Sequence, residues 1–323
     1  MRRKYIHSSS SLTTLKKQKP KRFLTKRILS LFIIMIIGVA IFFYLFTLYH
    51  DIGEAYRTSI EDVLLTESNP PLDSPINHHE TVTFLFVGVD YGHAGRLDEK
   101  RANVITTLTI NPSKRQSIQV NVSRLLKDIQ QDVTLSHVYK NGNVMEIKQS
   151  VEELLQIPIH HTVKIELSEL RPLLDQLGGL KLKLESPIQI GDQTYAANQE
   201  VQMSSREVML YMQAQTDESE WEHSKRETEV LEQISIALFE KFSNVSRISE
   251  LAATLNEAES WLITDLKYET FFNFMRENYI KNLDQRSVKN LRGDYQADES
   301  PWEKINEQWL DRTRSDLQEL VGQ

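Results

Sequence analysis

The chain has 323 residues, 40% of them hydrophobic, with no cysteine and a formal charge of −7. That length can bury one sizeable core, and without cysteine a disulfide framework is excluded. The charge is unevenly placed: residues 1–27 carry ten Lys and Arg and no acid, which leaves 28 cations against all 45 acids, a net −17, on the remainder. So acidic a body excludes nucleic acid as its partner, because a phosphate backbone draws on the opposite sign for most of its affinity.

Residues 28–49, ILSLFIIMIIGVAIFFYLFTLY, are 22 in a row without a charge. As a helix they extend about 33 Å, matching a hydrocarbon core of about 30 Å, and they predict a single transmembrane anchor. The basic arm precedes this span and Asp51 and Glu54 follow it. The positive-inside rule therefore places the amino terminus in the cytoplasm and the main domain outside, in a single-pass protein of the cell membrane. A cleaved signal peptide would need a shorter apolar run and a small-x-small cleavage site, and neither is evident.

Residues 50–80 are polar, contain Pro70, Pro71 and Pro75, and read as a stalk with one short helix near Tyr56 to Leu65. From residue 81 the pattern changes. TVTFLFVGVD is a dense apolar strand, and NVITTLTINP and QSIQVNVSR follow as a hairpin turned at NPSKRQ. VMEIKQSVEELLQI spaces its apolar residues as a helix does, IHHTVKIEL is a strand, and SELRPLLDQL is a helix with Ser168 as N-cap. GGLKLKLE alternates as a strand, with Gly178 and Gly179 as helix C-cap and tight turn. SSREVMLYMQAQ is a helix opening on Ser204 or Ser205, and a longer helix runs from about residue 222 to 242.

The alternation predicts an α/β fold, a mixed-sheet α/β sandwich over residues 81–243. A carboxy-terminal helical extension is expected over residues 244–323, with Trp261 and Trp302 as its core anchors. His160 and His161, neighbours in a strand, point to opposite faces and do not form a joint metal site. His78, His79 and Glu80 read as solvated stalk. Trp221 either lines a cleft or caps the long helix. Met203, Met209, Leu210 and Met212 read as core packing.

The ordered set FLFVGVD, R-A-N-V-I, the VSR that ends the hairpin, SHVYKNG, DQLGGL, and LYMQAQ followed by KRETEVL resembles the LytR-CpsA-Psr family of cell-envelope proteins. The resemblance covers about residues 81 to 240. It implies a transferase that moves anionic glycopolymer from a polyprenyl pyrophosphate carrier to peptidoglycan, through a pocket of arginines and acids holding Mg2+. Members are also labelled LytR-type transcriptional attenuators, but the basic arm has no helix-turn-helix pattern. Arginine forks suit a diphosphate because they pair bidentately with its oxygens.

Matched position by position, Asp90 stands at the family's first acid and would ligate Mg2+. Arg101 and Arg124 match catalytic arginines. Asn103 replaces an aspartate and Leu125 an acid, Gln213 and Gln215 replace an R-x-R pair, His223 replaces a further arginine, Glu220 replaces an aspartate, and Arg226 is kept. Three of six expected arginines are therefore present, so substrate binding through Asn103, Gln213, Gln215, His223 and Arg226 is expected to be weak, and the Mg2+ site with it. The resemblance thus implies a weakened or non-catalytic member acting on polyprenyl-pyrophosphate-linked glycopolymer and peptidoglycan, or on an active paralogue; the alternative is a working transferase.

Overall fold

The structure is a computed structural model that describes residues 42, 44–61, 80–90, 101–128, 132–139, 144–214, 220–243, 248–271, 286–297 and 301–322. Residues 1–49 and 50–323 form two compact units. In the first, residues 42 and 44–49 are helical and leave Phe42, Tyr44, Leu45, Phe46 and Tyr49 exposed. Most of the expected anchor, residues 28–41, lies outside the described residues. Among the described residues no helix is long and apolar enough to cross a membrane.

The second unit begins with helical residues 50–56 and a π-helical turn, Arg57–Glu61. Tyr56 is buried between Tyr268 and Phe271, with ring centroids 5.6 and 5.2 Å away, and its hydroxyl donates to the Leu266 carbonyl. The expectation of a stalk from residue 50 is corrected here: Ile52, Ala55 and Tyr56 make one apolar helical face, and that face docks on the body. Residues 62–79 of the expected stalk lie outside the described residues.

The body is built on a six-stranded mixed sheet. Its strands are β1 (Val82–Asp90), β2 (Arg101–Asn111), β3 (Gln116–Val122), β4 (His161–Glu166), β9 (Leu262–Thr264) and β10 (Arg286–Leu291), in the spatial order β10-β3-β2-β1-β4-β9. β1, β2 and β3 are antiparallel neighbours, whereas β4 runs parallel to β1 and β10 parallel to β3. β1 is buried along nearly its whole length, because both faces of a central strand are covered; this is why it reads as a continuous apolar run. The β2–β3 turn is fixed by the Asn111 side chain, whose oxygen accepts from Lys114 N at 2.9 Å, and by Arg115 at φ 53°.

One face carries the larger core. Helices α1 (Leu135–Val138) and α2 (Val144–Leu155) pack Leu135, Val138, Ile147, Val151, Leu154 and Leu155 against Leu85, Val87, Val120 and Val122. The smaller core gathers Val82, Phe84, Ile110 and Leu266. Helix α3 (Arg171–Leu177) has Pro172 in its first turn and ends on Gly178 at φ 76°. Its N-cap is Leu170, not the expected Ser168, whose hydroxyl donates instead to Glu166 Oε1 at 3.1 Å.

β5 (Leu180–Lys183) pairs with β8 (Glu200–Met203), and β6 (Ile188–Ile190) with β7 (Gln193–Tyr195). Gly179 allows the close approach there: a Cβ on it would lie 2.0 Å from the Met203 carbonyl oxygen. Helix α4 (Ser205–Gln213) opens on a capping box in which Ser204 and Glu207 satisfy each other's backbone amides. Helix α5 (Glu220–Ser243) follows, and then α6 (Ile248–Asn256).

The carboxy-terminal region is not a separate helical extension. It supplies β9 and β10, the two edge strands of the main sheet, the hairpin β11 (Gly293–Gln296) with β12 (Trp302–Ile305), and helix α7 (Glu307–Val321). Leu310, Leu317 and Leu320 of α7 enter the larger core, and Leu291 joins them. Trp302 correspondingly sits in a strand, with the Lys127 ammonium 4.3 Å from its ring centroid. His161 is buried 3.5 Å from Asp265, while His160 Nδ1 accepts from Thr83 N at 3.1 Å. Burial, together with the His161 and Lys148 charges, lowers the His160 pKa.

Candidate anion-binding site

The site begins with an irregularity in the β1–β2 ladder. Gly88 faces Val104 but Val89 faces Ala102, so Asn103 has no partner on β1. This is a β-bulge, which bends the strand and re-aims the extra side chain. Gly88 permits it: a Cβ there would lie 2.9 Å from the Val104 Cβ and 3.2 Å from Leu167 Cδ2. Beyond the bulge Asp90 stands opposite Arg101 at the end of the ladder. Arg101 Nε is buried and makes no hydrogen bond among the described residues.

Asn103, 6% exposed, is gripped from two sides. Arg124, in the turn after β3, donates through Nη1 to its side-chain oxygen. From α5, Ser224 Oγ donates to its backbone carbonyl at 2.6 Å, and Glu227 Oε1 accepts from its Nδ2 at 3.3 Å. Glu227 is 3% exposed, and its other oxygen is buried without a hydrogen bond among the described residues. Sequence reasoning gave Glu227 no role. The signal that would have found it is its position four residues after His223, which puts both on one helix face.

His223 Nε2 lies 3.3 Å from Glu227 Oε1, and Arg226 Nη2 lies 2.8 Å from His223 Nδ1. A guanidinium only donates, so Nδ1 is the acceptor and the proton of neutral His223 resides on Nε2, directed at Glu227. Arg226 Nη2 also donates to the Ala214 carbonyl at 2.7 Å, and its guanidinium lies 5.4 Å from the Tyr211 ring centroid. This ties the end of α4 to the first turns of α5.

Asn103, Arg124, His223 and Arg226 are thus joined in one chain of polar contacts whose middle member is Glu227. Asp90 and Arg101 occupy the same end of β1 and β2. Gln213 is the last residue of α4, next to Ala214. Gln215 lies outside the described residues, as do residues 91–100 between β1 and β2. Leu125 is buried, and its carbonyl accepts from Glu303 N at 2.9 Å. Trp221 is buried, with the Arg292 guanidinium 5.8 Å from its ring centroid. Of the expected packing stripe, Met203 and Met212 are buried and Leu210 is exposed.

The donor set fits a divalent cation poorly. A hard cation wants several oxygen ligands, carboxylates above all. The side-chain oxygen of Asn103 already accepts from a guanidinium, and Arg101 faces Asp90 across the ladder. Among the described residues no group of three or more His, Asp or Glu side chains is placed to hold a metal ion.

The LytR_cpsA_psr family model matches residues 45–317. The polyisoprenyl-teichoic acid–peptidoglycan teichoic acid transferase TagU of Enterococcus faecalis is 21% identical over 285 residues, 85% of this chain and 90% of that protein. The TagU of Bacillus subtilis is 21% identical over 304 residues, 90% and 96% of the two chains. Among solved structures, TagT bound to LIIa-WTA superposes with a TM-score of 0.62 at 17% identity, covering 80% of this chain and 97% of that one. B. subtilis TagV superposes at 0.61 with 16% identity, covering 76% and 98%. These superpositions show the shared fold.

Proposed function

The chain belongs to the LytR_cpsA_psr family, and from that premise we propose that it acts in bacterial envelope assembly, on lipid-linked anionic glycopolymer and peptidoglycan, with a weakened hold on the diphosphate head. The relatives named as teichoic acid transferases support the substrate class. The protein is held by a single transmembrane helix at residues 28–49, with its body outside the cell. The uncharged span, the basic arm before it and the exposed aromatic residues at its end support that placement.

One observation carries the weakened reading: two of the three retained cations, Arg124 and Arg226, serve the protein's own groups. Arg124 donates to Asn103, Arg226 to Ala214 and His223, and a buried carboxylate, Glu227, sits against Asn103 and His223, where its negative charge opposes an anion. Charge-assisted bonds contribute about 1.5–3 kcal/mol each, so replacement of three arginines by Gln213, Gln215 and His223 removes several kcal/mol of anion capture. Mg2+ at Asp90 is held weakly on this reading, because among the described residues no cluster of acids gathers around it. Such a protein modulates glycopolymer attachment, beside an active paralogue that performs the transfer.

The second reading is a working transferase, favoured by the placement of Asp90, Arg101 and Arg124 at adjoining ends of β1, β2 and β3. Isothermal titration of the full-length chain in detergent micelles with farnesyl pyrophosphate separates the two. Weak binding that ignores Mg2+ is expected; tight, Mg2+-dependent binding would overturn the weakened reading in favour of the transferase.

A further inference from the structure

We propose that Arg292, which lies outside every motif of the site, is an anion-binding residue that brings positive charge from the carboxy-terminal segment to the side of Arg124. The inference rests on the reading of the site as one for a diphosphate-bearing lipid. It adds a residue that restores part of what positions 213, 215 and 223 lack.

The backbone around Arg292 is held on both sides. Before it, β10 runs parallel to β3 with Leu291 opposite Val122, and Ser123 N donates to the Leu291 carbonyl at 2.9 Å. After it, Gly293 N donates to the buried carboxylate of Glu303 at 3.0 Å. Gly293 also lies so close to the facing strand that a Cβ would come within 2.0 Å of the Lys304 carbonyl oxygen. Glu303 is itself tied to the turn that carries Arg124, through its amide to the Leu125 carbonyl at 2.9 Å and a bridge to Leu126. Neighbouring strands are about 4.8 Å apart, so the Arg292 backbone lies one strand spacing from Ser123, the residue before Arg124.

The side chain is placed as well. Its guanidinium lies 5.8 Å from the ring centroid of Trp221, which is buried in the first turn of α5. Three residues on, Ser224 holds the Asn103 carbonyl, and Asn103 holds Arg124. Arg292 itself is exposed, and among the described residues it makes no ion pair. A guanidinium resting on an aromatic face keeps its in-plane N–H groups for a ligand. Arg124 and Arg226, by comparison, both donate to protein groups. Arg292 is therefore the cation in this neighbourhood best prepared to meet an oxyanion.

The test is isothermal titration of the full-length chain in detergent micelles with farnesyl pyrophosphate at low salt. Arg292→Gln is expected to weaken binding about tenfold, as for loss of one charge-assisted contact. Arg292→Lys is expected to lose less than Arg292→Gln but not to match wild type, since it keeps the charge and gives up the stacked, planar donor fork. Both variants should unfold at the wild-type temperature. If wild type binds, Arg124→Gln loses binding and Arg292→Gln does not, the role of Arg292 is overturned and the site reading stands. Equal losses in the Lys and Gln variants with a lowered unfolding temperature would mark a packing role and also overturn it. If wild type does not bind at all, the site reading fails and takes this inference with it.

Discussion

Asn103 links two groups of opposite charge: its side-chain oxygen accepts from Arg124, and its Nδ2 donates to Glu227 across 3.3 Å. A carboxylate at this position would attract the first and repel the second. The amide serves both, which explains physically why this chain accommodates Glu227 where an aspartate at 103 would not. Asn103→Ala is expected to destabilise the protein by about 1–3 kcal/mol, because it withdraws a hydrogen-bond partner from buried Glu227 and half-buried Arg124 at once. Urea unfolding measures it; a change under about 0.5 kcal/mol would show that the network contributes nothing to stability.

The triple change Gln213→Arg, Gln215→Arg, His223→Arg restores the cations that the family resemblance leads one to expect. Affinity for farnesyl pyrophosphate should rise at least about tenfold, given roughly 1.5–3 kcal/mol for each charge-assisted contact. Unchanged affinity would mean that these positions do not face the anion.

The bulge at Gly88 is a precise geometric demand. Gly88→Ala brings a methyl 2.9 Å from the Val104 Cβ, and it should cost about 1–3 kcal/mol as overpacking in a filled core. The thermal midpoint reads this directly, and an unshifted midpoint would show that the ladder can slide to make room.

A pH effect is expected at Glu229 on α5. Burial pushes its pKa up, against the attraction of Lys225. A carboxyl raised in the folded state favours folding while protonated, and that contribution is lost as pH rises through the folded pKa. Glu229→Gln should therefore gain stability relative to wild type near pH 7, and the gain should shrink toward pH 4. Midpoints recorded across that range test the sign; a variant less stable at pH 7 would show that the Lys225 pair outweighs burial.

What was legible in the sequence was local. β1 to β4, α2 and the start of α4 on Ser204 follow from period, turn residues and caps, each of which acts within a few residues. The carboxy-terminal strands were not legible. RSVKNL is an edge strand exposed along most of its length, so it lacks an apolar alternation, and LIT is three residues long. What makes them strands is pairing with β3 and β4, more than 90 residues earlier. The site divides in the same way. Arg124, His223 and Arg226 could be placed by motif order, whereas the bulge that turns Asn103 toward α5 is a property of register between two strands. Glu227 and Arg292 become visible only when α5 and the carboxy-terminal segment are laid across the sheet.

The placement of β10 and α7 has a consequence for biogenesis. The strand that closes one edge of the sheet and the helix that closes the larger core both lie within residues 286–321, far along the chain from β3 and α2. A ribosome makes that stretch long after β3 and α2, so β3 must wait with an open edge and α2 with part of its apolar side uncovered until residues 286–321 have emerged. A truncation there would strip the nascent body of its closing pieces, leaving an aggregation-prone intermediate instead of a shortened but functional protein.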